Sequence, residues 1–231
     1  AKSDNKYEYT DKHKMAYSSI TTTKRLISDY AKAIKKYSKK SDQYAKEIKL
    51  PSSLKKKVQN GTIDIQTLSE TNKQKVEAYQ KWYDKKIDSQ KKREEQIKNL
   101  QDLYQQKLDN ISNRYDTLID VYSKRNDSID SLNSWREEIG ASQAQGSDYY
   151  KSIQEQMGNG ETIRKYYKDE ISAYTKQYNE IAKEYGKNSD IAKEAAAKLD
   201  ELKSAYYDNE KSLAENTNKL DELNTTMAEY Q

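Results

Sequence analysis

From Ser69 to Ile139 the chain reads SETNKQKVEAYQKWYDKKIDSQKKREEQIKNLQDLYQQKLDNISNRYDTLIDVYSKRNDSIDSLNSWREEI, 71 residues without a proline or glycine. A seam runs through it at alternating steps of three and four: Val76, Tyr79, Tyr83, Lys86, Gln90, Arg93, Ile97, Leu100, Tyr104, then Leu108, Ile111, Tyr115, Leu118, Tyr122, Arg125, Ile129, Leu132, Arg136 and Ile139. That spacing is the heptad repeat of a helix packed along one face. Around Tyr104 two steps of four follow one another, an inserted stutter that locally unwinds a left-handed supercoil. The spacing predicts one helix over 69–139, roughly 105 Å long at about 1.5 Å per residue.

Upstream, Ile20, Thr23, Ile27, Tyr30, Ile34, Tyr37, Ser41, Tyr44 and Ile48 repeat the same pattern, so residues 1–50 read as a basic heptad helix. Pro51 ends it, because the residue before a proline is pushed out of helical angles. Residues 51–68 read as a short helix closed by Asn60-Gly61, where glycine supplies a left-handed cap, and a connector in which Ile63 and Ile65 alternate with polar residues.

Downstream, Gly140 to Gly160 reads as a glycine-containing break with a short helical piece, and Gly158-Asn159-Gly160 as a second interruption. Residues 161–231 read as an acidic helical hairpin. Its first arm carries Ile163, Tyr167, Ile171, Tyr174, Tyr178, Ile181 and Tyr185, and its second carries Ile191, Ala195, Leu199, Leu202, Tyr206, Leu213, Leu220 and Leu223. Gly186 ends the first arm and Ser189 caps the second, a short turn that favours antiparallel neighbours.

The fold class is therefore all-α, an elongated long-helix coiled coil or a thin antiparallel helical bundle. Composition agrees. Of 231 residues, 35% are charged and 33% hydrophobic, with 21 tyrosines, no phenylalanine and no cysteine. Mean hydropathy is -1.27. So small an apolar supply excludes one large globular core. No apolar run approaches the length of a membrane span, and nothing at the N-terminus reads as a signal peptide. Without cysteine there is no disulfide framework and no thiolate nucleophile. Tyrosine at many seam positions suits two or three helices in cross-section, since each ring packs inside while its hydroxyl reaches water.

Catalytic chemistry has little to stand on. There is no phosphate-binding glycine loop, no Gly-x-Ser-x-Gly elbow and no His-Glu-x-x-His. His13 has no metal-spaced partner and reads as a surface residue. Glu94-Glu95, Glu137-Glu138 and Asp200-Glu201 are adjacent in sequence and so diverge around a helix, whereas acid and base must converge. Asn126 to Asp130 lacks the turn glycine and closing glutamate of a calcium loop. No catalytic, cofactor-binding or metal residue is expected.

Charge is uneven: residues 1–60 carry 16 Lys+Arg against 6 Asp+Glu, and residues 141–231 carry 12 against 17. Lys32, Lys35, Lys36, Lys39, Lys40, Lys46, Lys49, Lys55, Lys56 and Lys57 form the one concentrated basic run. Such a run keeps a thin helix soluble and can also hold nucleic acid without sequence preference, by displacing counterions from phosphates.

The stretch Leu50-Pro-Ser-Ser-Leu-Lys-Lys-Lys-Val-Gln-Asn-Gly-Thr-Ile-Asp-Ile-Gln-Thr-Leu-Ser-Glu, followed by Tyr79-Gln-Lys-Trp82-Tyr-Asp-Lys85, resembles the coiled-coil portions of tail tape measure proteins of long-tailed bacteriophages and prophages of Gram-positive hosts. In that family a Gly-x-Ile-Asp-Ile connector often precedes a helix carrying Tyr-Gln-Lys-Trp-Tyr-Asp. The resemblance spans Leu50 to Lys85. It implies a structural virion protein that occupies the tail lumen, sets tail length, and contacts copies of itself, the tube protein and assembly chaperones. It places such a protein in the host cytoplasm during assembly. The chain is far shorter than a whole tape measure and lacks the family's apolar segment and peptidase domains; with Ala1 in place of an initiating methionine, it reads as a segment. The motif implies that Trp82 is a helix-to-helix anchor, and Trp135 reads as a second one. The alternative is a coiled-coil spacer or scaffold unrelated to phage.

Overall fold

The structure is a computed structural model and describes residues 2–140 and 146–229. Among them the chain is all-α: α1 (Lys2–Glu47), α2 (Ser52–Gln59), a 3₁₀ turn (Ile65–Thr67), α3 (Glu70–Glu138), α4 (Gly146–Tyr185) and α5 (Asp190–Glu229). Two compact units divide the chain, Lys14–Leu103 and Tyr104–Gln231 with Ala1–His13. The boundary within α3 falls at the stutter read around Tyr104. The side-chain surroundings of His13 lie outside the described residues, as does the 141–145 part of the expected break.

In the Lys14–Leu103 unit, α1 and α3 run antiparallel and a short cap closes one end. The end of α1 is a Schellman motif: the Leu50 amide donates to the Ala45 carbonyl at 2.9 Å and the Lys49 amide to the Lys46 carbonyl at 3.1 Å. That geometry needs a left-handed residue, and Lys49 takes it at φ 51°. Leu50 and Pro51 then turn the chain into α2. The same device ends α2, with Gly61 at φ 69° and the Thr62 amide donating to the Lys57 carbonyl at 2.9 Å. Asp64 accepts from the Gln66 amide and opens the 3₁₀ turn, and Ser69 accepts from the Asn72 amide at the start of α3.

In the other unit, α3 from Tyr104 onward, α4 and α5 pack together. Tyr104 faces Tyr185, Tyr115 faces Tyr166, and Asn133 meets Ser152, so ascending α3 matches descending α4. Gly186 at φ 87° ends α4, and the Ala192 amide donates to the Ser189 hydroxyl at 3.4 Å, the cap read from sequence.

The interruption expected at Gly158-Asn159-Gly160 is not there: α4 runs through all three. A glycine in a helix costs only about 1 kcal/mol, which packing can outweigh. Here it does. A Cβ on Gly160 would lie 2.7 Å from Leu213 Cδ2, so α5 approaches where no side chain stands. Asn209 Nδ2 donates to the Gly160 carbonyl at 2.9 Å, and Arg164 gives two hydrogen bonds to Glu210, one of 2.8 Å.

Candidate functional site

Three places combine chemistry with position: the capped end of the Lys14–Leu103 unit, a polar seam between α3 and α4, and a buried carboxyl on α4. The cap forms around Ala45, Leu54, Val58, Val76 and Tyr79, with Ile48, Leu50, Ile63, Ile65, Leu68 and Tyr83 packed against them. Nearly every apolar residue of the Leu50–Lys85 stretch thus has a packing role. Tyr79 is fully buried, yet its hydroxyl accepts from Gln59 Nε2 at 3.1 Å, which resolves the cost of burying it. Burial pushes the Tyr79 phenol up, and the Gln59 hydrogen bond and the Lys55 charge hold it back. Trp82 is half-buried between Tyr37 and Tyr44, at ring distances of 6.1 and 6.4 Å, with Lys40 and Lys85 ammonium groups 4.4 and 4.7 Å from its centre. A ring touching α1 from α3 under two cations is the anchor expected of Trp82.

This unit is also the basic one. Residues 14–103 carry 22 Lys+Arg against 11 Asp+Glu, whereas residues 104–231 carry 17 against 24. Of the lysines between 32 and 57, all but Lys55 are exposed; Lys55 is half-buried and bonds Asp42 at 3.0 Å. Nothing about their geometry reads bases, so the surface is suited to phosphate only as a charge.

The seam between α3 and α4 is polar where an apolar one is expected. Asn159 Nδ2 donates to Asn126 Oδ1 at 2.8 Å, Gln156 Nε2 to Asp130 Oδ1 at 2.6 Å, and Asn133 Nδ2 to the Ser152 hydroxyl at 3.0 Å. The Ser152 hydroxyl in turn donates a hydrogen bond to the Tyr149 carbonyl at 2.7 Å. Each group is satisfied by one of the facing helix, and a half-turn slip would leave several buried polar atoms unpaired. The layer therefore fixes register.

Glu170 is 0% exposed, and the Asp116 carboxylate on α3 accepts a hydrogen bond from its carboxyl when protonated. Burial, followed by the negative charge of Asp116 on α3, pushes its pKa from 4.5 up to about 8, while Lys198 on α5 opposes the rise. Lys198 Nζ lies 3.7 Å from Asp116, so Asp116 holds the cation and Glu170 holds a proton. Tyr174, in the same layer, is raised to about 12, mainly by burial and then by Asp109. The layer contains groups able to hold a proton, and among the described residues no cluster of His, Cys, Asp or Glu could hold a metal.

Of the expected seam, Ile20, Val76, Tyr79, Leu100, Tyr104, Leu108, Ile111, Tyr174, Ile181, Leu199, Leu202 and Leu213 are buried. Ile27, Tyr30, Ile34, Tyr37, Ile48, Trp82, Tyr83, Ile97, Tyr115, Leu118, Tyr122, Ile129, Ile171, Tyr178, Tyr206, Leu220 and Leu223 are half-buried. Three are exposed instead: Tyr44 at 40%, Leu132 at 43% and Ile139 at 54%. Trp135, at 54%, is not an anchor within this chain. The cause at Leu132 and Trp135 is a phase difference of one residue: Asn126, Asp130 and Asn133 face α4, which turns the apolar set outward. Glu170 and Gln177 were missed for a related reason. A helix packed against two neighbours buries two stripes, and α4 touches both α3 and α5. The available signal is the 4,3 spacing shared by Asn126, Asp130, Asn133 and by Ser152, Gln156, Asn159.

No protein-family model matches the chain, and neither does any curated protein or solved structure. Among the described residues no helix is long and apolar enough to cross a membrane.

Proposed function

We propose that this chain is a coiled-coil segment of a phage or prophage tail tape measure protein, a structural element of the tail lumen with no catalytic role, assembled in the host cytoplasm. The observation that carries the reading is the Leu50–Lys85 stretch. Its Gly61-Thr-Ile63-Asp-Ile65 connector and its Tyr79, Trp82 and Tyr83 form one cap joining two long helices. The 69 residues of α3 add a helix whose residue number converts to length at about 1.5 Å each, which is what a ruler requires. Its partners on this reading are copies of itself, the tube protein and assembly chaperones. The exposed lysines between 32 and 57 add a salt-sensitive contact with passing nucleic acid.

The test is an in-frame deletion of residues 70–138 from the parent gene, with tails measured by electron microscopy. Tails shorter by roughly 100 Å support the ruler. Tails of normal length, or particles that lack the protein, sink it. A second reading, a helical spacer or scaffold outside any phage, is favoured by the way α4 turns back on α5 and fills its seam within the chain. On that reading the deletion leaves tails alone and removes a partner recovered by pull-down.

A further inference from the structure

Along the far side of α3 a second heptad stripe is left bare. Val121, Arg125, Ser128, Leu132, Trp135 and Ile139 follow one another at steps of four and three. Val121 and Leu132 are 43% exposed, Trp135 and Ile139 54%, and Arg125 and Ser128 are exposed too. The helix cannot turn this stripe inward, because Asn126, Asp130 and Asn133, about 150° further round, are held by Asn159, Gln156 and Ser152 of α4. Four apolar residues, a tryptophan among them, exposed in one row at coiled-coil spacing are the pattern of a binding face.

We propose that this stripe binds a second copy of the same chain, with the two α3 helices antiparallel and Ser131 near the two-fold axis. The charges decide the occupant and the direction. Between 120 and 138 the helix carries Lys124, Arg125 and Arg136 against Asp120, Asp127, Asp130, Glu137 and Glu138, a net negative balance that disfavours an anionic lipid surface. A parallel, in-register pair would set Arg125 on Arg125 and Ser128 on Ser128. Reversing one helix instead sets Arg125 on Trp135, Val121 on Ile139 and Ser128 on Leu132, each layer occurring twice by symmetry. The first is a cation over an indole face and the second an apolar pair. The flanking positions agree: Lys124 comes opposite Glu138 of the second copy, and Ile129 opposite Ile129. In one chain Lys124 bonds its own neighbour Asp120, at 2.7 Å on an exposed face, and pairing replaces that contact at little cost.

The experiment is sedimentation equilibrium of the full chain from low to high micromolar concentration, with charge-swapped variants. The expected result is a monomer–dimer equilibrium that Lys124→Glu and Glu138→Lys each weaken by about tenfold and that the double variant restores. Trp135→Asp raises the dissociation constant by at least about a hundredfold, with helix content unchanged by circular dichroism because the side chain is exposed. The chain has no cysteine, so Val121→Cys mixed with Ile139→Cys reports orientation cleanly through a short bis-maleimide. Crosslinking of the mixture, but of neither variant alone, is the antiparallel result. A chain that stays monomeric throughout, a dimer indifferent to Trp135→Asp and to the charge swaps, or crosslinking of Val121→Cys with itself overturns the proposal. The first of these leaves the stripe to some other partner.

Discussion

Replacing Glu170 by glutamine removes a carboxyl that must take up a proton to be buried while keeping the size and shape of the side chain. Its carboxyl is fully buried, and its pKa is pushed from 4.5 to about 8, first by burial and then by the charge of Asp116 and a hydrogen bond to it. Each tenfold change in proton affinity is worth about 1.4 kcal/mol. An acid whose pKa rises on folding takes up a proton as the chain folds, so its stability contribution is full below 4.5 and is lost as pH rises towards 8. The amide does not titrate. Glu170→Gln should therefore be more stable than the parent by about 1 kcal/mol at pH 5, about 3 at pH 7 and about 5 at pH 9, a gap that widens with pH. Urea unfolding followed by far-ultraviolet circular dichroism at those three pH values measures it, and subtracting variant from parent cancels His13, the one histidine. A gap that does not change with pH would refute the reasoning, since it would mean the carboxyl is hydrated and ionised in the folded bundle.

Three further outcomes follow from the packing. Gly158→Ala should stabilise by about 1 kcal/mol of helix propensity, because nothing lies within 4 Å of the new methyl, whereas Gly160→Ala should lose that gain and about 1 kcal/mol more against Leu213; opposite shifts in melting temperature are the check. Lys49→Gly should stabilise by about 1 kcal/mol, since Lys49 holds a left-handed angle that glycine adopts freely, and an unchanged urea midpoint would count against the Schellman geometry. At low concentration acrylamide should quench the lone tryptophan of Trp82→Phe, which is the 54% exposed Trp135, more strongly than that of Trp135→Phe; equal quenching would contradict the placement of one or the other.

Some of this was legible before any coordinates, and the reasons are local. The absence of proline and glycine from 69 to 139 lets the backbone make every helical hydrogen bond, so α3 extends nearly from end to end of that stretch. Pro51, Gly61, Gly186 and Ser189 act through their own dihedral angles or side chains, and each stands where it ends or begins a helix. Heptad spacing likewise marked Val76, Tyr79, Tyr104 and Ile111 as buried, since a residue's face on a helix follows from its number.

What a helix packs against does not follow from its number, and there tertiary structure decided. Spacing assigns one stripe per helix, but α4 meets two neighbours and so buries Glu170 and Gln177 as well as Tyr174 and Ile181. Gly158 and Gly160 are alike in sequence and differ only because Leu213 of α5 comes to lie on one of them. Asn126, Asp130 and Asn133 form a seam because Asn159, Gln156 and Ser152 satisfy them, and their pairing turns Leu132 and Trp135 to the outside. Apolar burial is worth about 25 cal/mol per Å² wherever it occurs and carries no direction, whereas a buried amide must find its partner. Backbone angles and periodicity, which act within a few residues, are therefore set by sequence alone; the phase of a helix against its neighbours waits for groups brought together from 19 to 33 residues apart.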